Sequence, residues 1–212
     1  MNKKLACLLL SFSLGAVTVR SQTVNCLVAL VGGRPVTLMD LEVAREFGFF
    51  GPALQGTGGD LRLAVLEALI GQKIVVEMAR EAMPSGQDDL DLAIGSLREK
   101  LGPEAFAGKL RKFGLREDDL RPYLEERLRY DRIVAARFPA TIPVSRGDVE
   151  TYYRDVYVPG QKAKGLAPDS LEIALPALET AVRDKARARK VAEWVRTIRE
   201  QAEVRINKDC LK

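Results

Sequence analysis

The stretch that most constrains the fold runs from Leu115 to Tyr153. In its first part apolar residues recur at helical spacing while acidic residues and arginines fall between them, which predicts one long amphipathic helix. Pro139 and Pro143 end this helix, because proline lacks a backbone amide and restricts the residue before it. Ser145, followed three positions later by Asp148, predicts the capped start of a second helix. The two helices should therefore meet at a rigid corner.

Composition argues against an enzyme and against a metal site. The 212 residues, enough for one large or two small domains with a real core, include no histidine and only three cysteines. The commonest general base is therefore missing, and a zinc site of cysteines and histidines cannot be assembled. The sequence also has no glycine-rich phosphate loop and no arrangement of a nucleophile beside a base. We expect no catalytic residues, no metal and no cofactor.

The first 21 residues have the pattern of an export signal. Lys3 and Lys4 precede an apolar segment, Leu5 to Val19, and small or apolar residues flank a cleavage point near Ser21. An uncleaved anchor or a buried first helix is the alternative. Removal of the three basic residues in this segment from the 33 in the chain leaves 30 against 29 acidic residues. A near-neutral balance does not favour a nucleic-acid partner.

Short strand patterns lie at both ends of the remaining chain. Residues 23–31 are apolar and β-branched and predict a strand, Gly32 and Gly33 predict a turn, and residues 34–36 predict a short return strand. Residues 204–206 alternate like a final strand. Such short strands do not persist unless they pair, so we expect the two ends to pair with each other. Cys26 and Cys210 would then lie close enough for a disulfide in an oxidising compartment, with two unpaired thiols as the alternative.

Between these strands the chain is mostly helical. Periodicity and caps predict helices over residues 38–50, 60–82, 88–101, 103–113 and 176–202. Glycine-rich residues 51–59 predict a surface loop, and residues 158–170, rich in proline, glycine and lysine, predict a linker. We therefore expect a mostly α protein with a small β-ribbon.

The order of these motifs resembles a known chaperone module. VALVGGRPVTLMDLE, LEALIGQKIVVEMARE, FGLREDDLRPYLEERLRYDRIVAARF and VSRGDVETYY follow one another as in the N-terminal chaperone domain of SurA, the periplasmic foldase. They are also similar to the related modules of PrsA- and PpiD-type foldases. The resemblance covers residues 22–157, and residues 171–212 resemble the helix and strand that complete the same module.

The resemblance implies a module that holds unfolded or partly folded exported proteins in the periplasm or cell envelope, such as outer-membrane or secreted clients. Family members usually carry a parvulin-type prolyl isomerase domain at the place occupied here by the linker of residues 158–170. Their isomerase sites use histidine, which this sequence lacks. The expected function is therefore an ATP-independent chaperone without isomerase activity, and the alternative is a dedicated scaffold or assembly subunit of an envelope complex.

A holding chaperone needs accessible apolar residues beside adaptable backbone. The candidate client-binding residues near the glycine-rich loop are Phe49, Phe50, Pro52 and Leu54. The alternative is that both phenylalanines simply pack beneath the loop. Their joint replacement by serine should distinguish the binding interpretation from the packing interpretation.

Three tyrosines after the corner, Tyr152, Tyr153 and Tyr157, could line a groove against the final helix or could simply pack at the corner. The basic run on that helix is interpreted as a solvated face. Peripheral membrane contact through anionic lipid headgroups, or contact with acidic clients, is the alternative. The run consists of Arg183, Lys185, Arg187, Arg189 and Lys190.

Overall fold

The computed structural model describes residues 26–51, 54, 59–79 and 86–211. Three short strands form one antiparallel sheet in the order β2, β1, β3. They are β1 (Leu27–Val31), β2 (Arg34–Thr37) and β3 (Val204–Ile206). The prediction that strands from the two ends of the chain pair is confirmed, since Ala29 lies opposite Ile206. The proposed signal at residues 1–21 and the start of the first predicted strand lie outside the described residues.

Helices make up most of the remaining structure, so the mostly α prediction is confirmed. In chain order they are α1 (Leu38–Phe47), α2 (Gly59–Met78), α3 (Gln87–Leu101), α4 (Pro103–Phe113), α5 (Arg121–Arg137), α6 (Arg146–Tyr152), α7 (Val158–Ala163) and α8 (Leu171–Glu200). Short 3-10 turns precede α5 and follow β3, and a π-helical turn, Tyr153–Tyr157, joins α6 to α7.

Local capping chemistry fixes where α1 begins and ends. The hydroxyl of Thr37 accepts a hydrogen bond from the amide of Asp40, whose carboxylate accepts one from the amide of Thr37. The helix ends at Phe47 because Gly48 has a φ of 66°, a left-handed conformation that glycine adopts without strain. Our predicted helix over residues 38–50 was therefore three residues too long.

The predicted corner is present. Ser145 caps α6, because its hydroxyl accepts a hydrogen bond of 3.1 Å from the amide of Asp148. The Asp148 carboxylate accepts one in return from the amide of Ser145, at 3.2 Å. Before this cap, α5 ends at Arg137 and the segment containing Pro139 and Pro143 carries no helix. As predicted, α5 ends before the first proline and α6 begins after the capping serine.

The predicted linker over residues 158–170 is wrong in its first half. Residues Val158–Ala163 form α7, which continues from α6 through the π-helical turn. Pro159 lies in the first positions of α7, directly after the π-helical turn. Only residues 164–170 connect α7 to α8 without helical structure.

The last helix begins five residues earlier than Pro176, where we predicted its start, and ends at Glu200. Pro176 lies inside α8, although proline removes one hydrogen bond of the helix. Ala174 and Leu178, on either side of Pro176, are buried in one cluster with Val149 of α6. This packing holds the first turns of α8 in place, since burying a leucine contributes about 1.5–3 kcal/mol.

Three apolar clusters hold the protein together. The largest joins the sheet to α1, to α2 and to Ile198 near the end of α8. The second joins α1 to α3, α4 and the start of α5, and the third lies at the corner between α6 and α8. α8 packs against α6 and α2, so the C-terminal segment belongs to the same body as the helices before the corner. Among the described residues, no helix combines the length and apolarity needed to cross a membrane.

Candidate functional site

A concave surface with a volume of about 1020 Å3 lies between α2, α5 and α8. We call it the groove. Small and aliphatic side chains from all three helices line it and leave room between them. They include Ala68, Gly71, Val134, Ala135, Ala188, Val191, Ala192 and Val195. The groove follows α8 from Asp184 to Arg199, and fifteen helical steps of 1.5 Å give it a length of about 22 Å.

Gly71 lets α2 and α8 approach closely on the floor of the groove. A Cβ atom at this position would lie 2.8 Å from Cγ1 of Val195, nearer than real Cβ contacts allow. The glycine therefore has a packing role in the middle of a helix, where it costs about 1 kcal/mol relative to alanine.

Charged residues of both signs form the rim of the groove, and several of them are paired. Arg127 forms an ion pair of 2.8 Å with Asp131 on the same helix. Arg199 of α8 forms an ion pair with Glu67 of α2. Nε of Arg187 donates a hydrogen bond of 2.8 Å to the backbone carbonyl of Phe138. The arrangement combines an apolar floor with a solvated rim, which suits binding of apolar chains in water.

A second cavity of about 490 Å3 adjoins the groove on the side of α1. Phe50, Gln72 and Arg127 line both cavities and therefore lie at the boundary between them. We call the two cavities together the cleft. The Arg127 guanidinium lies 5.5 Å from the ring centre of Phe50 and 5.3 Å from that of Tyr130. Cation–π contacts of this kind hold both rings against the wall of the cleft.

Gln72 is buried in the middle of the cleft, with only 5% of its surface exposed. Its Nε2 donates to a carboxylate oxygen of Glu126 at 3.4 Å, and Nζ of Lys73 binds the other oxygen of that carboxylate at 3.0 Å. Oε1 of Gln72 has no hydrogen-bond partner among the described residues. A buried carbonyl without a partner calls for an explanation.

The two candidate phenylalanines have different surroundings. Phe49 lies 6.0 Å from the ring of Phe47 and 6.1 Å from that of Tyr123, between two apolar clusters. Its position supports the alternative that it packs beneath the loop. Phe49 also lines the second cavity but not the groove, whereas Phe50 lines both. Phe50 and Leu54 also pack against the cluster of the sheet. Pro52 lies outside the described residues.

The three candidate tyrosines are not brought together with Phe50. Tyr152, Tyr153 and Tyr157 pack in the corner cluster, and the rings of Tyr153 and Tyr157 stack 5.7 Å apart. The hydroxyls of this stacked pair donate to the backbone carbonyl and the carboxylate of Asp169, at 2.8 and 3.0 Å. These tyrosines therefore fasten the connection before α8 to the corner, which supports the packing interpretation.

The basic run on α8 is largely engaged within the protein. Nε of Arg183 donates a hydrogen bond of 3.3 Å to the backbone carbonyl of Ile142, in the segment between α5 and α6. The ammonium of Lys185 lies 5.5 Å from the centre of the Tyr152 ring. Three of the five cations thus stabilise the corner, which leaves Arg189 and Lys190 for the outer surface.

Two tyrosines that line the cleft remain neutral at physiological pH. Burial, together with the nearby Asp40 carboxylate, raises the pKa of Tyr123 above its usual range. Burial likewise raises the pKa of Tyr130. Both residues therefore offer phenol groups and no charge to anything bound in the cleft.

Cys26 and Cys210 form a disulfide in the structure, with Cα atoms 5.9 Å apart. The bond joins the residue before β1 to the turn after β3. Within the described ranges, no group of three or more histidine, cysteine or acidic side chains is placed to hold a metal ion. Neither a scan against protein-family models nor a search of the curated proteins finds a match for this chain.

Sequence reasoning missed most of the cleft. Gln72, Tyr130 and the small residues of α2 and α8 were not among the candidates, and only Phe50 of the candidate set reaches the groove. One signal was present, because Ala68 and Gly71 on α2, like Ala188 and Ala192 on α8, recur at the spacing of one helix face. Small residues at that spacing leave a hollow between neighbouring helices.

Proposed function

We propose that this protein is an ATP-independent chaperone of the periplasm or cell envelope that holds unfolded or partly folded exported proteins. Clients would be outer-membrane or secreted proteins in transit. The observation that carries the proposal is the groove, which combines an apolar floor, a charged rim and an adjoining aromatic, Phe50. The resemblance of the motif order to SurA-type foldases supports the same function.

The dimensions of the groove agree with a polypeptide client. An extended chain advances about 3.3 Å per residue, so a groove of about 22 Å accommodates six or seven residues. Burial of apolar client side chains on this floor would supply the affinity, because that term is not directional and tolerates many sequences. No nucleotide, metal or cofactor takes part in such binding.

The proposed chaperone has no prolyl isomerase activity and is not an enzyme. Seven residues, 164–170, connect α7 to α8, and no isomerase domain fits into so short a connection. The rate of prolyl isomerisation in a proline-containing tetrapeptide should equal the rate in buffer. A catalysed rate would overturn this part of the proposal.

The test of the chaperone function is suppression of aggregation of several unrelated denatured proteins, without ATP, followed by light scattering. Replacement of an exposed alanine of the groove, Ala192→Trp, should fill the floor and abolish most of the suppression. Ala177→Trp makes the same change at an exposed position of α8 that does not line the groove, and should leave suppression intact. Failure of the unaltered protein to protect any of the substrates would refute the proposal.

Exposed apolar side chains favour a second candidate, a scaffold or assembly subunit that docks onto one envelope partner. Leu92 on α3 and Ile173 on α8 expose 70% and 71% of their surface. A dedicated subunit would protect one partner or none in the same assay, whereas a chaperone would protect several unrelated substrates. Serine replacements at these two positions should leave chaperone activity unchanged.

A further inference from the structure

The three-stranded sheet has two outer edges, and they differ in their ability to accept a further strand. β2 and β3 flank β1, so each has one side without a neighbouring strand among the described residues. An open strand edge presents unpaired backbone N–H and C=O groups, the arrangement that binds extended peptides by strand addition. The hydrogen bonds of β1 show which backbone groups each edge presents.

Hydrogen bonds at both ends of β3 fix the direction of its backbone groups. The N–H of Gly32 donates to the carbonyl of Glu203 at 3.0 Å. The N–H of Asn207 donates to the carbonyl of Val28 at 2.8 Å. In an antiparallel pair, residues bonded to the neighbouring strand alternate with residues whose N–H and C=O groups point to the other side. The odd-numbered residues of this segment therefore bond to β1, and the even-numbered residues do not.

Val204 and Ile206 consequently present their N–H and C=O groups at the outer edge of the sheet. None of these groups has a hydrogen-bond partner in the part of the chain that the structure describes. The side chains of both residues pack against the cluster of the sheet. A further strand beside β3 would therefore gain backbone hydrogen bonds and would place its own alternate side chains next to this cluster.

The opposite edge, at β2, is blocked by a proline. Pro35 lies opposite Leu30, whose backbone groups are directed toward β3. The backbone of Pro35 therefore faces the outer side of β2, where proline has no N–H to donate. Proline at an edge is one of the ways in which proteins prevent pairing with other chains. β3 consists of Val204–Ile206 and contains no proline.

The exposed charge of Arg205 decides which chain fits the edge of β3. A second copy could bond to all the free groups only in the register that places Val204 opposite Ile206. This register puts the two Arg205 side chains opposite each other, and like charges at opposite positions destabilise a sheet. An extended segment with a carboxylate at that position would form an ion pair instead. The bond of 2.6 Å from Arg205 to Glu203 does not prevent this, because side chains that are 76% and 68% exposed pair weakly.

We propose that the outer edge of β3 binds an extended segment of an unfolded client as a fourth, antiparallel strand. An acidic residue of the client lies opposite Arg205, and apolar residues lie opposite Val204 and Ile206. This inference rests on the proposed chaperone function and adds a second binding surface to the groove. Strands of outer-membrane barrels alternate apolar and polar residues, so such clients would present many suitable segments.

Amide hydrogen exchange of the unaltered protein, followed by NMR, tests the strand addition. The probe is a heptapeptide with a central glutamate between two valines, flanked by threonine and serine. At saturation it should slow exchange at the amides of Val204 and Ile206 about fivefold, the effect of one hydrogen bond at each. The amide of Arg205, already bonded to β1, is the internal reference and should change less.

Two results of this measurement would overturn the inference. One is unchanged exchange at Val204 and Ile206 while the peptide is bound. The other is slow exchange at both amides that appears without peptide and increases with protein concentration, because a second copy would then occupy the edge.

Charge reversal on either side tests the preference for an acidic residue, with fluorescence anisotropy of labelled peptides as the readout. Replacement of the central glutamate of the peptide by lysine should weaken binding to the unaltered protein about threefold. Arg205→Glu should reverse this preference. Arg146→Glu is the matched control, since this arginine of α6 is similarly exposed and likewise pairs with a glutamate, and it should leave the preference intact. Equal binding of the two peptides by the unaltered protein would overturn the inference.

Failure of the inference is distinguishable from failure of the proposed function. If the unaltered protein binds neither the peptide nor a permanently unfolded protein such as reduced, carboxymethylated lactalbumin, the chaperone function is refuted. If it binds the unfolded protein while Val204 and Ile206 keep the exchange rates of the free protein, only the strand addition at β3 is refuted. The exchange measurement uses the unaltered protein, so it decides the matter even if a variant does not fold.

Discussion

The phenol of Tyr123, on α5, donates a hydrogen bond of 2.9 Å to Oδ1 of Asp40, on α1. The other carboxylate oxygen of Asp40 accepts from both the amide and the hydroxyl of Thr37, each at 2.8 Å. A single carboxylate therefore caps α1 and joins it to a helix 83 residues later in the chain. Because both residues line the second cavity, this bond also fixes one wall of the cleft.

Replacement of the phenol, Tyr123→Phe, should lower the free energy of unfolding by about 1–2 kcal/mol. The variant loses a hydrogen bond to an ionised group in a half-buried site, and such bonds are stronger than neutral ones. Urea denaturation measures the effect. Tyr152→Phe is the control, since that ring packs at the corner below Lys185. Equal stabilities of Tyr123→Phe and the unaltered protein would show that the bond contributes nothing.

Serine replacements of the two neighbouring phenylalanines should have different effects, one mainly on stability and the other mainly on client binding. Phe49→Ser should lower the free energy of unfolding by about 3 kcal/mol, because its ring bridges two apolar clusters. Phe50→Ser should lower stability less, because its ring contacts only the cluster of the sheet, and should weaken binding of unfolded clients severalfold, because its ring lines the groove, which Phe49 does not reach. Calorimetry and anisotropy measure the two effects. The opposite distribution of effects would place the binding residue at Phe49.

The fold was predictable where local chemistry decides it. Ser145 with Asp148, Thr37 with Asp40, and Gly114 after α4 each act over three or four residues, so their effects can be read from the sequence. The errors at α7 and at the start of α8 arose because proline was given the role of a helix breaker. Tertiary packing around Ala174 and Leu178 overrides that preference.

The candidate site was far less predictable, for a geometric reason. The cleft needs α2, α5 and α8 to cross with a hollow between them, and no local pattern specifies that crossing. Gln72 carries no signal of its own, because a glutamine in an amphipathic helix is ordinarily solvent-facing. It is buried instead, because α5 brings Glu126, 54 residues away, against it.

Reduction of the disulfide should destabilise the protein. The bond between Cys26 and Cys210 closes a loop of 184 residues, and removal of such a constraint from the unfolded chain typically costs about 2–4 kcal/mol. Cys210→Ser should show the same loss, and reductant should have no further effect on that variant. Thiol titration of the chain from residue 22 onward, denatured without reductant, should find no reactive thiol. Two reactive thiols there would contradict the bond.

Acid should weaken the contact between α1 and α4 through Glu46. The ammonium groups of Lys112 and Lys109, at 2.6 and 3.0 Å, lower the pKa of Glu46 from 4.5 to about 2. Between these values the unfolded chain binds a proton that the folded protein does not, so stability falls as pH falls from 4.5 towards 2 and is fully present above 4.5.

The variant Glu46→Gln should therefore be less stable than the unaltered protein at pH 7, by about 1 kcal/mol for a partly exposed ion pair. The difference should shrink as the pH falls and should be mostly lost near pH 2, where Glu46 of the folded protein is about half protonated. Glu99→Gln, at an exposed position on α3, should show no comparable change. Urea denaturation at pH 7, 4 and 2.5 measures the trend. A difference that stays constant or grows on acidification would mean that Glu46 does not contribute through its charge.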